Sequence, residues 1–131
     1  MPQSRILVIE DDAEIRTLLD VILQREGYLV DVAEDGIAGI HSFRTNPADL
    51  IITDLIMPGK EGLETIVDLK REFPDLKIIA ISGGGIDGQN TYLNAARLCG
   101  ASVTFRKPFS NKELIEAVNK LLMDDISNEA N

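Results

Sequence analysis

The chain predicts one α/β domain: an open, doubly wound, five-stranded parallel sheet with five helices. Three observations predict it. Short apolar runs alternate with segments of helical period five times along the chain, the pattern of repeated strand–helix units. The runs are continuously apolar rather than alternating, as strands covered on both faces are. The length, 131 residues, suits one domain with a real core and is too short for a barrel of eight such units.

The elements follow in order. Ile6-Leu7-Val8-Ile9 reads as the first strand. Ile15, Leu18, Leu19, Ile22 and Leu23 recur at helical spacing, and Gly27 stops that helix. Tyr28 to Val32 reads as the second strand, and Ala33-Glu34-Asp35 as a solvated turn before a helix over Gly36 to Phe43. Leu50 to Thr53 is the third strand; Leu63, Ile66, Val67 and Leu69 mark a third helix that ends before Pro74. Ile78 to Ile81 is the fourth strand. A fourth helix with a weak apolar stripe covers Thr91 to Leu98, capped by Gly100. Val103 to Arg106 is the fifth strand. Ser110-Asn111-Lys112-Glu113 has the form of a capping box, and Leu114, Ile115, Val118, Leu121 and Leu122 form the stripe of the last helix. The domain is expected over residues 1–123, with 124–131 as a polar, fraying tail too short to be an output domain.

Composition narrows the partners. The net charge of −9 repels nucleic acid. No apolar run approaches the ~20 residues of a membrane span, so membrane insertion is not expected. The N-terminus lacks the pattern of a signal peptide, and one cysteine, Cys99, cannot form an internal disulfide. A reducing cytoplasm is the simplest home. Cys99 reads as a small packing residue and His41 as a surface residue, while Tyr92 is either a partner contact or helix-four packing.

The polar residues after the strands carry the chemistry. Strand one ends in Glu10-Asp11-Asp12, strand three in Asp54, strand four in Ser82, strand five in Lys107-Pro108. Ligands of open α/β sheets bind outside the carboxyl ends of the strands, so these groups converge on one crevice. Two like charges ~4 Å apart repel by about 4 kcal/mol at an effective dielectric near 20, so the carboxylates call for a hard cation among them. Mg²⁺ (or Mn²⁺) takes such oxygen ligands together with phosphate. A lysine and a hydroxyl opposite it can hold other phosphoryl oxygens, and a carboxylate can attack phosphorus. The set reads as metal-assisted phosphoryl capture by a carboxylate.

With these residues in view, the chain resembles a response-regulator receiver domain (CheY-like) of two-component signalling, over nearly its whole length. The resemblance rests on Ile6 to Asp12, Asp54-Leu55-Ile56-Met57-Pro58, Gly62, Ser82-Gly83, and Gly100-Ala101 with Lys107-Pro108-Phe109. It implies the strand order 2-1-3-4-5. It implies Asp54 as phosphoacceptor, with Asp11 a direct metal ligand, Glu10 acting through water and the Ile56 backbone carbonyl a third protein ligand. Asp12 would cap the first helix. Ser82 would be the switch hydroxyl, Lys107 a phosphoryl-binding lysine, and the Lys107–Pro108 peptide cis. The implied partners are a sensor histidine kinase or histidine phosphotransfer protein and a downstream protein target, in a bacterial pathway. A stand-alone receiver, signalling phosphoacceptor rather than enzyme, would then relay the group or signal by contact.

Two positions depart from the family pattern. Thr104 stands where an aromatic switch residue is usual, and Phe105, one residue late, falls on the opposite face of its strand. Ser82 to Gly88 makes the loop after strand four glycine-rich and long, which implies a mobile loop that reorders on phosphorylation. Two other functions are weighed. A Mg²⁺-dependent phosphohydrolase of haloacid-dehalogenase type needs an Asp two places after its nucleophile, but Ile56 follows Asp54 and Ala13 follows Asp11 at that spacing. A flavin carrier wants phosphate-holding donors after strand one, where Glu10-Asp11-Asp12 would repel phosphate.

Overall fold

The computed structural model describes residues 3–55, 62–83 and 89–130, with the side chains of 89–92 and 124–130 excepted. The elements are β1 (Arg5–Ile9), α1 (Ala13–Arg25), β2 (Leu29–Ala33), α2 (Gly36–Thr45), β3 (Leu50–Asp54), α3 (Gly62–Glu72), β4 (Lys77–Ser82), α4 (Gln89–Cys99), β5 (Val103–Arg106) and α5 (Asn111–Ala130). The strands form one parallel sheet in the order β2-β1-β3-β4-β5. Strand order reverses between β1 and β3, and the crevice lies beyond their carboxyl ends.

The sheet sorts its side chains by alternation. Leu7, Ile9, Ile51, Ile78 and Ala80 face α2, α3 and α4, where they meet Ile40, Phe43, Ile66, Leu69, Leu93 and Ala96. Ile6, Val8, Leu50, Ile52, Ile79 and Ile81 face α1 and α5 and meet Leu19, Leu23, Leu114, Val118 and Leu122. Both faces of β1, β3 and β4 are thus covered, which is why the runs Ile6–Ile9, Leu50–Ile52 and Ile78–Ile81 within them are continuously apolar. Cys99 packs half-buried against the first of these cores, and His41 is exposed.

Local chemistry sets the ends of the elements. Asp12 caps α1, its carboxylate accepting from the Glu14 and Ile15 amides. Gly27 (φ +96°) and Gly100 (φ +120°) take the left-handed turns after α1 and α4 that a side chain would resist. Ser110 Oγ accepts from the Glu113 amide at 3.3 Å, supplying that half of the capping box. Two readings need correction. Asp35 is not merely part of a solvated turn: it is the N-cap of α2 and accepts from the Ala38 amide at 2.8 Å. Nor does the last helix end near Leu122. Its backbone continues to Ala130, because the segment after Met123 holds no Gly or Pro to stop it. No helix among the described residues is long and apolar enough to cross a membrane.

Candidate functional site

β1, β3, β4 and β5 bring their carboxyl-terminal residues to one edge of the sheet. Glu10 follows β1 with its amide tied to the Ala33 carbonyl at 3.0 Å. That tie turns its side chain inward, where it is 2 % exposed. Asp54 is the last residue of β3 and 5 % exposed. Ser82 ends β4 and is fully buried. Lys107 follows β5; its amide donates to the Ser82 carbonyl at 2.9 Å, and its peptide bond to Pro108 is cis.

The Lys107 ammonium joins the strands. Nζ donates to Glu10 Oε1 at 2.9 Å and stands 3.4 Å from Asp54 Oδ2. Glu10 Oε2 accepts from the Asp12 amide at 3.2 Å. Asp11 is exposed at the mouth, and Glu10, Asp11 and Asp54 each offer a carboxylate oxygen within 4.8 Å of the others. Three carboxylates against one ammonium leave an excess of negative charge. Its consequence falls on Glu10, whose pKa is pushed from 4.5 to about 7. Burial is the main cause; the Lys107 hydrogen bond opposes it, and the charge of Asp54 adds to it. Burial also works against a charged Lys107, yet the hydrogen bond it donates to Glu10 and the charge of Asp54 outweigh it and raise its pKa. This oxygen-only donor set with surplus charge fits a hard divalent cation such as Mg²⁺. Among the described residues, Ser82 Oγ is the buried side-chain oxygen without a hydrogen-bond partner.

Two glycines make the close packing feasible. A Cβ at Gly62 would lie 2.3 Å from the Asp54 carbonyl oxygen, and one at Gly83 would lie 2.5 Å from Lys107 Cδ. The structure therefore brings together Glu10, Asp11, Asp54, Ser82 and Lys107 as the spacing implied. Ile56 and the glycine-rich loop from Gly84 to Gly88 lie outside the described residues, as does the Tyr92 side chain.

Thr104 stands apart from this cluster. It pairs with Ala80 on the side of the sheet that faces α4. Its Oγ1 accepts from Arg97 Nε at 3.2 Å and Nη2 at 2.9 Å. Phe105 packs into the opposite core, with its ring 6.0 Å from that of Phe109. Arg97 and Arg16 went unnoticed in the sequence. Arg16 Nη1 donates to the Glu10 carbonyl at 2.9 Å and lies 3.5 Å from the Asp11 carbonyl. One signal was available for it: a cation in the first turn of a helix opposes the helix dipole and invites another explanation.

Comparison with known proteins agrees with this geometry. Residues 6–119 match the model of the response regulator receiver domain family. The chain is 34% identical over 130 residues to the alkaline phosphatase synthesis transcriptional regulatory protein SphR of Synechococcus elongatus; 92% of this chain and 49% of SphR are covered. It thus spans about half the length of that relative, and a quarter of the NtrC proteins it also matches. It is 31% identical to the response regulator receiver protein CpdR of Brucella abortus, over 92% of this chain and 98% of CpdR. The response regulator TrrA of Thermotoga maritima, solved in complex with Mg²⁺–BeF, superposes with a TM-score of 0.78 at 36% identity, over 91% of this chain and 99% of TrrA. Strand order, sheet-edge carboxylates and family match agree: the chain belongs to the response regulator receiver domain family.

Proposed function

We propose that this chain accepts a phosphoryl group on Asp54, from a phosphohistidine of a sensor kinase or phosphotransfer protein, with Mg²⁺ held by Glu10, Asp11, Asp54 and the Ile56 carbonyl. The observation that carries the proposal is the buried, unpartnered Ser82 hydroxyl on the strand next to Asp54, in a residue whose backbone carbonyl accepts from the Lys107 amide. An orphaned buried hydroxyl costs about 1–3 kcal/mol. A phosphoryl oxygen arriving at Asp54 would supply the missing acceptor.

An Asp54 carboxylate oxygen attacks phosphorus as the bond from phosphorus to the histidine nitrogen breaks, and the imidazole leaves with the electron pair. Lys107 shifts its hydrogen bonding to one phosphoryl oxygen and Ser82 donates to another. A bound divalent cation supplies the charge neutralisation that lets a dianionic group enter among carboxylates. The receiver family is a signalling phosphoacceptor, and receiver domains engage histidine kinases or phosphotransfer proteins and downstream targets. The comparisons give the phosphohydrolase reading no support. After phosphorylation the group is relayed onward, or the surface around α4 and β5 reports it. The Arg97–Thr104 contact occupies that surface in place of the usual aromatic and favours the relay.

The test is incubation with acetyl phosphate and Mg²⁺ followed by intact-mass measurement. One labile phosphoryl group should be gained, and none by Asp54→Asn. Steady hydrolysis of phosphate esters without an adduct would return the reading to a hydrolase; a bound yellow chromophore would point to a flavin carrier.

A further inference from the structure

We infer that Arg16 is a positioning residue for the cation site: its guanidinium holds the Glu10 and Asp11 carbonyls so that both carboxylates stay aimed into the crevice. The inference rests on the metal reading of Glu10, Asp11 and Asp54. Only three residues, Glu10, Asp11 and Asp12, join β1 to α1. Most of their polar groups are tied within the loop or to its neighbours. The Glu10 amide bonds Ala33, Glu10 Oε2 takes the Asp12 amide, the Asp12 carboxylate takes the Glu14 and Ile15 amides, and the Asp12 carbonyl takes the Arg16 amide. The carbonyls of Glu10 and Asp11 lie beyond the last strand pairing and before the first helical bond. Arg16 reaches back from α1 to both, at 2.9 and 3.5 Å. A half-buried guanidinium can make these bonds and still present its remaining N–H groups to water.

Position and charge pull in opposite directions, which makes the inference decidable. As a bare charge, Arg16 repels an incoming cation and opposes the dipole of α1, so its removal should tighten metal binding. As a brace, it holds a metal-ligand loop in register, and residues that orient ligands typically change metal affinity ~10–100-fold when removed. The brace is the stronger effect here, because Asp11 is exposed and, among the described residues, Arg16 is the side chain that reaches its carbonyl.

The experiment is titration of the full chain with Mn²⁺, followed by the loss of the free-ion EPR signal, for wild type, Arg16→Ala, Arg16→Gln, Arg16→Lys and Asp11→Asn. Urea unfolding in EDTA is measured alongside. Arg16→Ala and Arg16→Gln should bind Mn²⁺ about tenfold more weakly. Arg16→Lys, which can still donate to one carbonyl, should recover part of the loss. Unchanged or tighter Mn²⁺ binding in Arg16→Ala would overturn the inference, whatever its unfolding midpoint. If the wild type binds no Mn²⁺, or Asp11→Asn binds it equally well, the metal reading itself falls and takes this inference with it. Loss in Asp11→Asn without loss in Arg16→Ala removes Arg16's role alone.

Discussion

Replacing Glu10 by Gln should stabilise the metal-free protein at pH 8 by about 3 kcal/mol and leave it nearly unchanged at pH 4. The Glu10 carboxyl is buried, and its pKa rises from 4.5 to about 7, chiefly through desolvation. In the unfolded chain it titrates near 4.5. Below pH 4.5 both states hold the proton and the stability is fully present. As the pH rises through 4.5 and on to about 7 that stability is lost, because ionising the group in place is harder than ionising it in water. At about 1.36 kcal/mol per pH unit the gap between the two values amounts to about 3 kcal/mol. Glutamine keeps the shape of the protonated acid and cannot ionise, so the variant keeps the low-pH stability throughout. With an unfolding entropy of ~2.1 cal/mol/K per residue, the melting temperature at pH 8 should rise by about 10 °C. The assay is urea unfolding in EDTA, wild type against variant, at half-unit steps from pH 4 to 8.5. Carboxylates remote from Glu10 titrate alike in both proteins and cancel in the difference; Asp54 and Lys107, which touch the site, do not, so the test is the growth of the difference between pH 4.5 and 7. A difference that does not grow between pH 4.5 and 7, or a variant weaker than wild type at pH 8, would refute the reasoning. Saturating Mg²⁺ should narrow the gap at pH 8.

Three further outcomes follow from the same geometry. Ser82→Ala should leave stability unchanged or raise it by up to about 1 kcal/mol, since the buried hydroxyl has no partner, while slowing adduct formation from acetyl phosphate at least tenfold; a clear loss of stability in urea would show a hydrogen bond already in place. Gly62→Ala should cost about 3 kcal/mol in urea unfolding, because the new methyl meets the Asp54 carbonyl and Leu55 Cα. Gly83→Ala should cost about 1 kcal/mol, because it meets only the Lys107 side chain, which can shift. The order reversed would contradict this. A double-mutant cycle of Arg97→Ala and Thr104→Ala should give a coupling of about 0.5–1 kcal/mol, as suits an exposed guanidinium on a neutral hydroxyl; zero coupling would mean the fork does not tie α4 to β5.

Thr104 changes how phosphorylation would be reported. An aromatic at that position could move between an outer and an inner place; a threonine held by a two-pronged guanidinium has no comparable apolar surface to bury. Under the proposed phosphorylation of Asp54, a signal through this face would have to move α4 with Arg97 or release Thr104 from Arg97, because the two are hydrogen-bonded. Phe105 cannot take over the part, since alternation sends it into the core between the sheet and α5.

The sequence by itself determined the five strand–helix units, the side of the sheet on which the chemistry gathers, and five of its members. Those are local and topological facts. Continuous apolar runs mark strands covered on both faces, Gly and Pro mark the breaks, and a parallel sheet carries every strand's last residue to the same edge. Asp54, Glu10, Asp11, Ser82 and Lys107 could be read from position alone. Asp35 as a cap and the extra turns of α5 could not, because a carboxylate before a helix serves equally as turn or cap, and a polar segment without breakers can coil or fray. The tertiary structure decided the rest. It places Lys107 Nζ against partners 97 and 53 residues away, buries Glu10 until its proton is hard to remove, leaves the Ser82 hydroxyl without an acceptor, and swings Arg16 and Arg97 onto oxygens of neighbouring elements. Such facts depend on distance, rotamer and desolvation, which belong to the packed assembly of distant segments and not to any stretch of the chain that precedes it.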